Sequence, residues 1–76
     1  MSVAFADKKE DIFMIQVRLY RMLQIRQKLS AEECNHIFEK YALFDYIADC
    51  YEEYHVQGDE ANYEDMLEYL RKQGYK

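Results

Sequence analysis

The sequence predicts an all-α protein, a compact four-helix bundle in which the N-terminal helix is the longest. Three observations predict this class: apolar residues recur at helical spacing in four stretches, capping signals separate those stretches, and proline is absent. Half of the residues are hydrophobic and a third are charged, as is typical of a globular chain. We therefore expect residues 1–76 to form one helical domain.

The first helix is predicted to begin at Asp7, after a frayed segment of residues 1–6. Glu10 stands three residues later, which is the spacing of a capping box. The helix then continues from Ile12 to Leu29 with an apolar stripe that is wide for a single helix. The stripe consists of Ile12, Ile15, Leu19, Met22 and Leu23, and Phe13, Val17 and Tyr20 widen it toward one side.

The second helix has the clearest start signal in the sequence. Ser30 and Glu33 have the spacing of a capping box, in which each side chain accepts a hydrogen bond from the other residue's backbone N–H. The predicted buried stripe is Cys34, Ile37, Phe38 and Tyr41. His36 falls on the opposite side and is predicted to be exposed.

A third helical pattern extends from Leu43 to Val56. Its predicted buried positions are Leu43, Ile47, Cys50, Tyr51 and Tyr54. No glycine or proline enforces a boundary at Ala42, so the second and third helices could also be continuous or kinked. A break is favoured because the two stripes do not stay in register across the join.

Glycine and asparagine mark the predicted ends of the last two helices. Gly58 is expected to close the third helix in a left-handed conformation, with His55 in the last turn. Asn62 is expected to cap the fourth helix, with Asp65 at its third position. The stripe of this helix is Tyr63, Met66, Leu67 and Leu70, and Gly74 is predicted to end it.

Charge is distributed unevenly along the chain, whose net charge is −5. Residues 12–30 carry four cations and no acid, whereas residues 31–70 carry twelve acids against Lys40 alone. An acidic surface repels the phosphates of nucleic acids and favours a basic protein partner. The alternative is that these charges only keep the surface solvated.

No pattern of reactive side chains indicates an enzyme, a cofactor site or a metal site. His55 has no histidine or cysteine at ligand spacing, and adjacent carboxylates point in different directions on a helix. Cys34 and Cys50 fall on apolar stripes and are expected to be reduced, buried thiols. The chain is expected to be cytoplasmic, since it has neither a signal peptide pattern nor an apolar run of roughly 20 residues.

Three segments, "IFEKYALFDYI", "CYEEYHVQGDE" and "YEDMLEYL", resemble a bacterial family of small proteins known as domain of unknown function 3791 (DUF3791). In that family Glu-Lys-Tyr precedes a small residue and a hydrophobic pair, a Tyr-x-x-x-His-x-Gln-Gly segment follows, and an acidic turn leads into a helix with a Glu-Tyr pair. Glycine is common in the family at Ala42 and threonine at Val56. The resemblance implies a structural or partner-binding role for Tyr41, Tyr51, His55, Gln57, Gly58, Asp65 and Tyr69.

The resemblance also implies a kind of partner, because family members are often encoded beside a toxin that resembles ADP-ribosyltransferases. The leading expectation is therefore a non-enzymatic protein–protein interaction module, antitoxin-like in role. One alternative is structural self-association through the first helix, since Met14 and Ile25 lie outside its apolar stripe. The less favoured alternative is a DNA-binding regulator that uses the basic side of that helix.

Overall fold

The computed structural model describes the backbone of residues 3–75 and the side chains of residues 8–75. This part of the chain contains no strand, which confirms the all-helical class. It forms five helices where the sequence predicts four. They are α1 (Val3–Arg26), α2 (Ala31–Lys40), α3 (Leu43–Asp49), α4 (Tyr51–Tyr54) and α5 (Asp59–Lys72).

The start of α1 differs from the prediction. The helix begins at Val3, so Asp7 lies inside it and is not its N-cap. Residues 1 and 2, which belong to the segment expected to be frayed, lie outside the described residues. A capping-box spacing also occurs within continuous helices, and for this reason the pattern alone did not locate the start.

The end of α1 also differs, because the helix stops at Arg26 and not at Leu29. Lys28 adopts a left-handed backbone conformation, with φ of 55°. The Leu29 N–H then donates to the Gln24 carbonyl at 2.9 Å, and the Lys28 N–H donates to that of Ile25 at 3.2 Å. This pair of hydrogen bonds is a Schellman motif, which is usually built on glycine.

The predicted capping box at the start of α2 is confirmed. The Ser30 Oγ accepts the Glu33 N–H at 3.0 Å, and the Glu33 Oε1 accepts the Ser30 N–H at 2.8 Å. The predicted break after α2 is confirmed as well. Ala42 takes a left-handed conformation with φ of 50°, and α3 starts at the next residue.

The third predicted helix is divided into α3 and α4 at Cys50, and it ends at Tyr54, before Val56. The Cys50 N–H approaches two carbonyl oxygens, that of Tyr46 at 3.0 Å and that of Ile47 at 3.1 Å. Such sharing marks a locally tightened turn. Of the residues predicted to be buried in this stretch, Leu43, Ile47 and Tyr54 are buried, and Cys50 and Tyr51 are partly buried.

Gly58 and Asn62 have roles different from those predicted. Gly58 has φ of −77° and ψ of 165°, an extended conformation, and it is the N-cap of α5. Helix α5 consequently begins at Asp59, and Asn62 lies within it, only 1% exposed. The Asn62 Nδ2 donates to the carbonyl of Tyr54, the last residue of α4, at 2.9 Å.

The end of α5 follows the prediction. Gly74 has φ of 103°, and the Tyr75 N–H donates to the Leu70 carbonyl at 2.9 Å. This is the second Schellman motif of the fold. It turns Tyr75 back toward the core.

Helix α1 packs against α2, α3 and α5, and the core lies between these helices. The apolar stripes predicted for the other helices are largely buried, but Phe13 on α1 is 60% exposed, contrary to its predicted place in the widened stripe. None of the described helices is long and apolar enough to span a bilayer. The core consists of Ile15, Leu19, Leu23, Cys34, Ile37, Phe38, Leu43, Ile47, Tyr54, Tyr63, Met66, Leu67 and Leu70.

Candidate functional site

The segment that joins α4 to α5, residues 54–59, is called the α4–α5 corner below. Of the residues that the family pattern singles out, His55, Gln57 and Gly58 lie in this corner, and Tyr51 lies one turn before it. Asp65 contacts the corner through Tyr54. The structure therefore groups most of the pattern around the point where α4 ends and α5 begins.

Tyr51 and His55 form one side of the corner, facing α1. Their rings are stacked with centroids 4.6 Å apart and planes 14° apart. The Tyr51 hydroxyl donates to the Asp11 carboxylate at 3.2 Å, and the Lys8 ammonium lies 5.4 Å from the Tyr51 ring centre. Partial burial, followed by the hydrogen bond to Asp11, raises the pKa of Tyr51. These contacts attach α4 to α1.

The other side of the corner is a tyrosine–aspartate cluster, defined as Tyr46, Tyr54, Asp65 and Tyr69. One oxygen of Asp65 accepts hydrogen bonds from Tyr54 at 2.5 Å and from Tyr46 at 3.0 Å. Tyr46 stacks on Tyr69 with ring centroids 3.9 Å apart. Burial first, and then the hydrogen bond to Asp65, raises the pKa of Tyr46 and Tyr54. Both phenols are thus held as neutral donors.

The family resemblance singled out Asp65 and Tyr69, but sequence reasoning did not predict the cluster. It treated Asp65 as a capping residue and Tyr54 as ordinary core, and it did not single out Tyr46. A signal was present: Asp65 and Tyr69 are four residues apart, so they share one face of a helix. The partner face on α3 and α4 could be found only once the break at Cys50 was known.

Tyr41 lies apart from the corner, at the C-terminal end of α2. Its carbonyl accepts a 3.5 Å hydrogen bond from the Tyr69 hydroxyl, and its ring lies edge-on to Tyr75. Tyr41 is therefore linked to the tyrosine–aspartate cluster through Tyr69. Its contacts place it in the packing between α2 and α5.

Two small, mostly polar clefts flank the corner and share Tyr54 and Gln57. The first has a volume of about 270 Å³ and separates the corner from α1; the second, of about 260 Å³, lies beside the tyrosine–aspartate cluster. The first is lined by Asp11, Met14, Ile15, Arg18, Tyr54, His55 and Gln57, and the second by Tyr46, Cys50, Glu53, Tyr54, Gln57 and Asp65.

Both cysteine thiols are at least partly buried. The Cys34 thiol is buried and donates to the Tyr20 carbonyl at 3.6 Å, and Cys50 is half-buried, less than expected. Burial raises the pKa of both thiols. Across residues 8–75, no three side chains of His, Cys, Asp or Glu come close enough together to hold a metal ion.

Two arginines of α1 hold the start of α5, which sequence reasoning did not predict. The Arg18 Nε contacts the Asp59 carboxylate at 3.1–3.2 Å. Arg26 binds Glu60 with both terminal nitrogens, and its guanidinium lies 4.8 Å from the Tyr63 ring centre. These hydrogen bonds lower the pKa of Glu60.

Other exposed carboxylates, by contrast, are not held by an ion pair within residues 8–75. Six exposed acids on α2–α5 form neither an ion pair nor a side-chain hydrogen bond within the described part of the chain, and they are called the free acidic set below. The set is Glu32, Glu39, Asp45, Asp49, Glu53 and Glu64.

Comparison with known proteins gives one match. The model of a family described as "Protein of unknown function (DUF3791)" matches residues 19–73, which extend from the last third of α1 to the residue after α5. No curated protein and no solved structure shows significant similarity to the chain.

Proposed function

Because the chain belongs to DUF3791, a family of proteins of unknown function, we propose a role from its surface: it is a non-enzymatic module that binds a basic protein. The candidate partner is a toxin encoded nearby that resembles ADP-ribosyltransferases, as the family resemblance noted in its sequence implies. In that case the module acts as an antitoxin.

The observation that carries this proposal is that two arginines of α1 are paired with acids, whereas the free acidic set is not paired with cations in the part of the chain that the structure describes. Arg18 and Arg26 are bound to Asp59 and Glu60, so two of the cations of α1 contribute to the fold. The free acidic set has no such partners within residues 8–75. The charge available to another molecule is therefore mainly negative.

A negative surface of this kind suits a basic protein for a physical reason. Complementary charges accelerate the encounter of two proteins and select against partners of like charge. Exposed carboxylates each contribute little affinity, about 0.2–1 kcal/mol, but several acting together contribute more. The expected complex is accordingly fast to form and sensitive to salt.

The non-enzymatic part of the proposal is supported by the positions of the reactive groups. The Asp65 carboxylate is occupied by two phenols, and the Cys34 thiol is buried against a backbone carbonyl. Ser30 caps α2, and His55 is stacked on Tyr51. Each of these groups has a structural partner in place of a reactive neighbour.

Co-expression with the product of the adjacent gene tests the proposal. We expect the two proteins to copurify as a complex and the co-expressed chain to restore growth that the neighbouring protein inhibits. The matched control is expression of the neighbouring protein alone. Absence of a complex together with absence of growth rescue would contradict the proposal.

Self-association is a second candidate function, favoured by apolar side chains on the outside of α1. Phe13, Met14 and Ile25 are 60%, 48% and 65% exposed. Mass measurement in solution over a range of concentrations decides between the two. A dimer that Ile25→Glu dissociates would support self-association, whereas a monomer at high concentration would dismiss it.

Regulatory DNA binding is less well supported than either, because two of the four cations between residues 12 and 30 are bound to acids of α5. Arg21 and Lys28 remain, and phosphate affinity rises with the number of phosphates neutralised. A duplex-binding assay at low salt tests this alternative, which predicts binding that weakens steeply as salt increases.

A further inference from the structure

A shallow groove of about 480 Å³ lies beside α2 and shares no residue with the two clefts of the α4–α5 corner. It is bounded by the α1–α2 turn, the first two turns of α2 and the residue that follows the α5 Schellman turn. Its lining residues are Leu29, Glu32, Glu33, His36, Ile37 and Tyr75.

The apolar walls of the groove come from the two Schellman motifs. In such a motif the residue after the left-handed position packs back on its helix. Leu29 follows Lys28 in this way, and Tyr75 follows Gly74. Two helix ends that are distant in sequence thus place one aliphatic and one aromatic side chain beside Ile37.

The rim of the groove is acidic. Glu32 is exposed and makes no ion pair within residues 8–75. Glu33 uses its Oε1 for the capping box, and its second oxygen has no hydrogen bond there. Among residues 8–75, no lysine or arginine lines the groove. An occupant therefore meets apolar surface at the centre and negative charge at the edge.

We propose that this groove is the contact face for an amphipathic, basic segment of a protein partner. One apolar side chain of that segment lies between Leu29, Ile37 and Tyr75, and a lysine or arginine lies beside Glu32. The inference rests on the proposed function and adds to it the face and the chemistry of recognition. Docking an amphipathic helix in an apolar groove is a recurring mode of peptide recognition.

The charge and the shape of the groove favour a basic protein segment over a nucleic acid or a small molecule. Carboxylates at the rim repel the phosphates of a nucleic acid, whereas they attract lysine and arginine. The open, shallow shape gives a small molecule little enclosure, and enclosed clefts are the usual small-molecule sites. A second copy of this chain is the remaining occupant, and the experiment below distinguishes it.

The test uses a short synthetic helix with leucine on one face and lysine on the other, titrated into the isotope-labelled full chain and followed by NMR. We expect the backbone amides of Leu29, Ile37 and Tyr75 to shift most. Glu32→Arg should weaken binding by about tenfold, because it replaces an attraction with a repulsion. The same peptide with glutamate in place of lysine should not bind.

The matched control is Glu10→Arg, which makes the same charge change at an exposed position of α1 outside both the groove and the free acidic set. It should leave the peptide affinity nearly unchanged. Thermal melts of both variants show that the fold is retained. Equal weakening by the two variants, or no binding by the lysine peptide, would overturn the inference.

Three further outcomes distinguish a failure of this inference from a failure of the proposed function. Groove amides that shift on concentrating the chain alone, with a rise in mass, would show that a second copy is the occupant and overturn the inference. A complex with the neighbouring gene product that is insensitive to Glu32→Arg would leave the proposed function standing and remove the groove from it. Peptide binding as predicted, without a complex with the neighbouring gene product, would support the groove and contradict the proposed function.

Discussion

Ala42 and Lys28 are the two described residues other than glycine that have a positive φ, at 50° and 55°. Each ends a helix where glycine would be the usual choice. The left-handed conformation costs a residue with a Cβ roughly 1–2 kcal/mol, whereas glycine adopts it without this cost. Both sites therefore store strain that a substitution can remove.

Ala42→Gly is expected to stabilise the protein. The relief of strain is partly offset because glycine loses more backbone entropy on folding, so a gain of up to about 1 kcal/mol is expected. For a domain of this size that corresponds to a rise in the melting temperature of roughly 4–8 °C. The control, Ala61→Gly in the exposed part of α5, should lower it. A destabilised Ala42→Gly variant would show that no strain is stored there.

Among residues 8–75, Asn62 is the buried polar residue of the core, and its amide joins two helices. Its Nδ2 satisfies the last carbonyl of α4, that of Tyr54, while its Oδ1 has no partner within residues 8–75. Asn62→Ala leaves the carbonyl unpaired, which is expected to cost about 1–3 kcal/mol in urea unfolding. Asn35→Ala, at an exposed hydrogen-bonded site, should cost less. Similar losses in both variants would argue against the proposed role of Asn62.

Tyrosine ionisation should make the protein unstable in alkali. Burial is the first cause that raises the pKa of Tyr20, Tyr46, Tyr51, Tyr54 and Tyr75 above the usual 10.0. Below that pH the phenols are neutral in both states. Above it the unfolded chain releases protons that the folded chain retains, so stability falls as pH rises.

Tyrosinate absorbance and helical circular dichroism, followed together from pH 8 upward, measure this effect. We expect ionisation of the tyrosines whose pKa is raised to coincide with loss of helix. Tyr54→Phe should weaken the pH dependence of stability, since it removes one of the strongly shifted groups. Ionisation of all eight tyrosines near pH 10 with the helices intact would contradict the account.

At the scale of the helices, side-chain periodicity and side-chain capping could be predicted from the sequence, but backbone conformation could not. The capping box at Ser30 and the helix end at Gly74 can be predicted because the residue types themselves form the cap. Gly58 was misplaced because glycine serves both helix ends, either left-handed at a C-terminus or extended at an N-cap. The end of α1 was missed because the residue type of Lys28, unlike glycine, does not indicate a left-handed turn.

The contact between α1 and α5 depends on Arg26 in two ways, through Glu60 and through the face of Tyr63. We expect Arg26→Ala to lower the melting temperature more than Glu60→Ala, because only the arginine change also removes the ring contact. Added salt should reduce the effect of Glu60→Ala, since the ion pair is exposed. Equal effects of the two variants would show that the ring contact adds nothing.

At the scale of the whole molecule, the sequence predicts the sign of the surface but not which charges are available. The excess of acids between residues 31 and 70 is readable from composition. Which of these acids have a partner depends on which helices lie side by side. Ion pairs or hydrogen bonds occupy Asp59, Glu60 and Asp65, whereas Glu32, Glu39, Asp45 and Asp49 are free within residues 8–75. Charge along the sequence therefore predicts an acidic surface, but only the fold shows which of its acids are available to a partner.

The most direct test of the proposed function is the affinity of this chain for the adjacent gene product, measured by calorimetry at several salt concentrations. The comparison is with a variant in which Glu32, Glu39, Asp45 and Asp49 become the corresponding amides. Four exposed charges worth about 0.2–1 kcal/mol each predict a loss of roughly fourfold or more, together with a weaker salt dependence. An unchanged affinity, or no complex with the unmodified chain, would contradict the account.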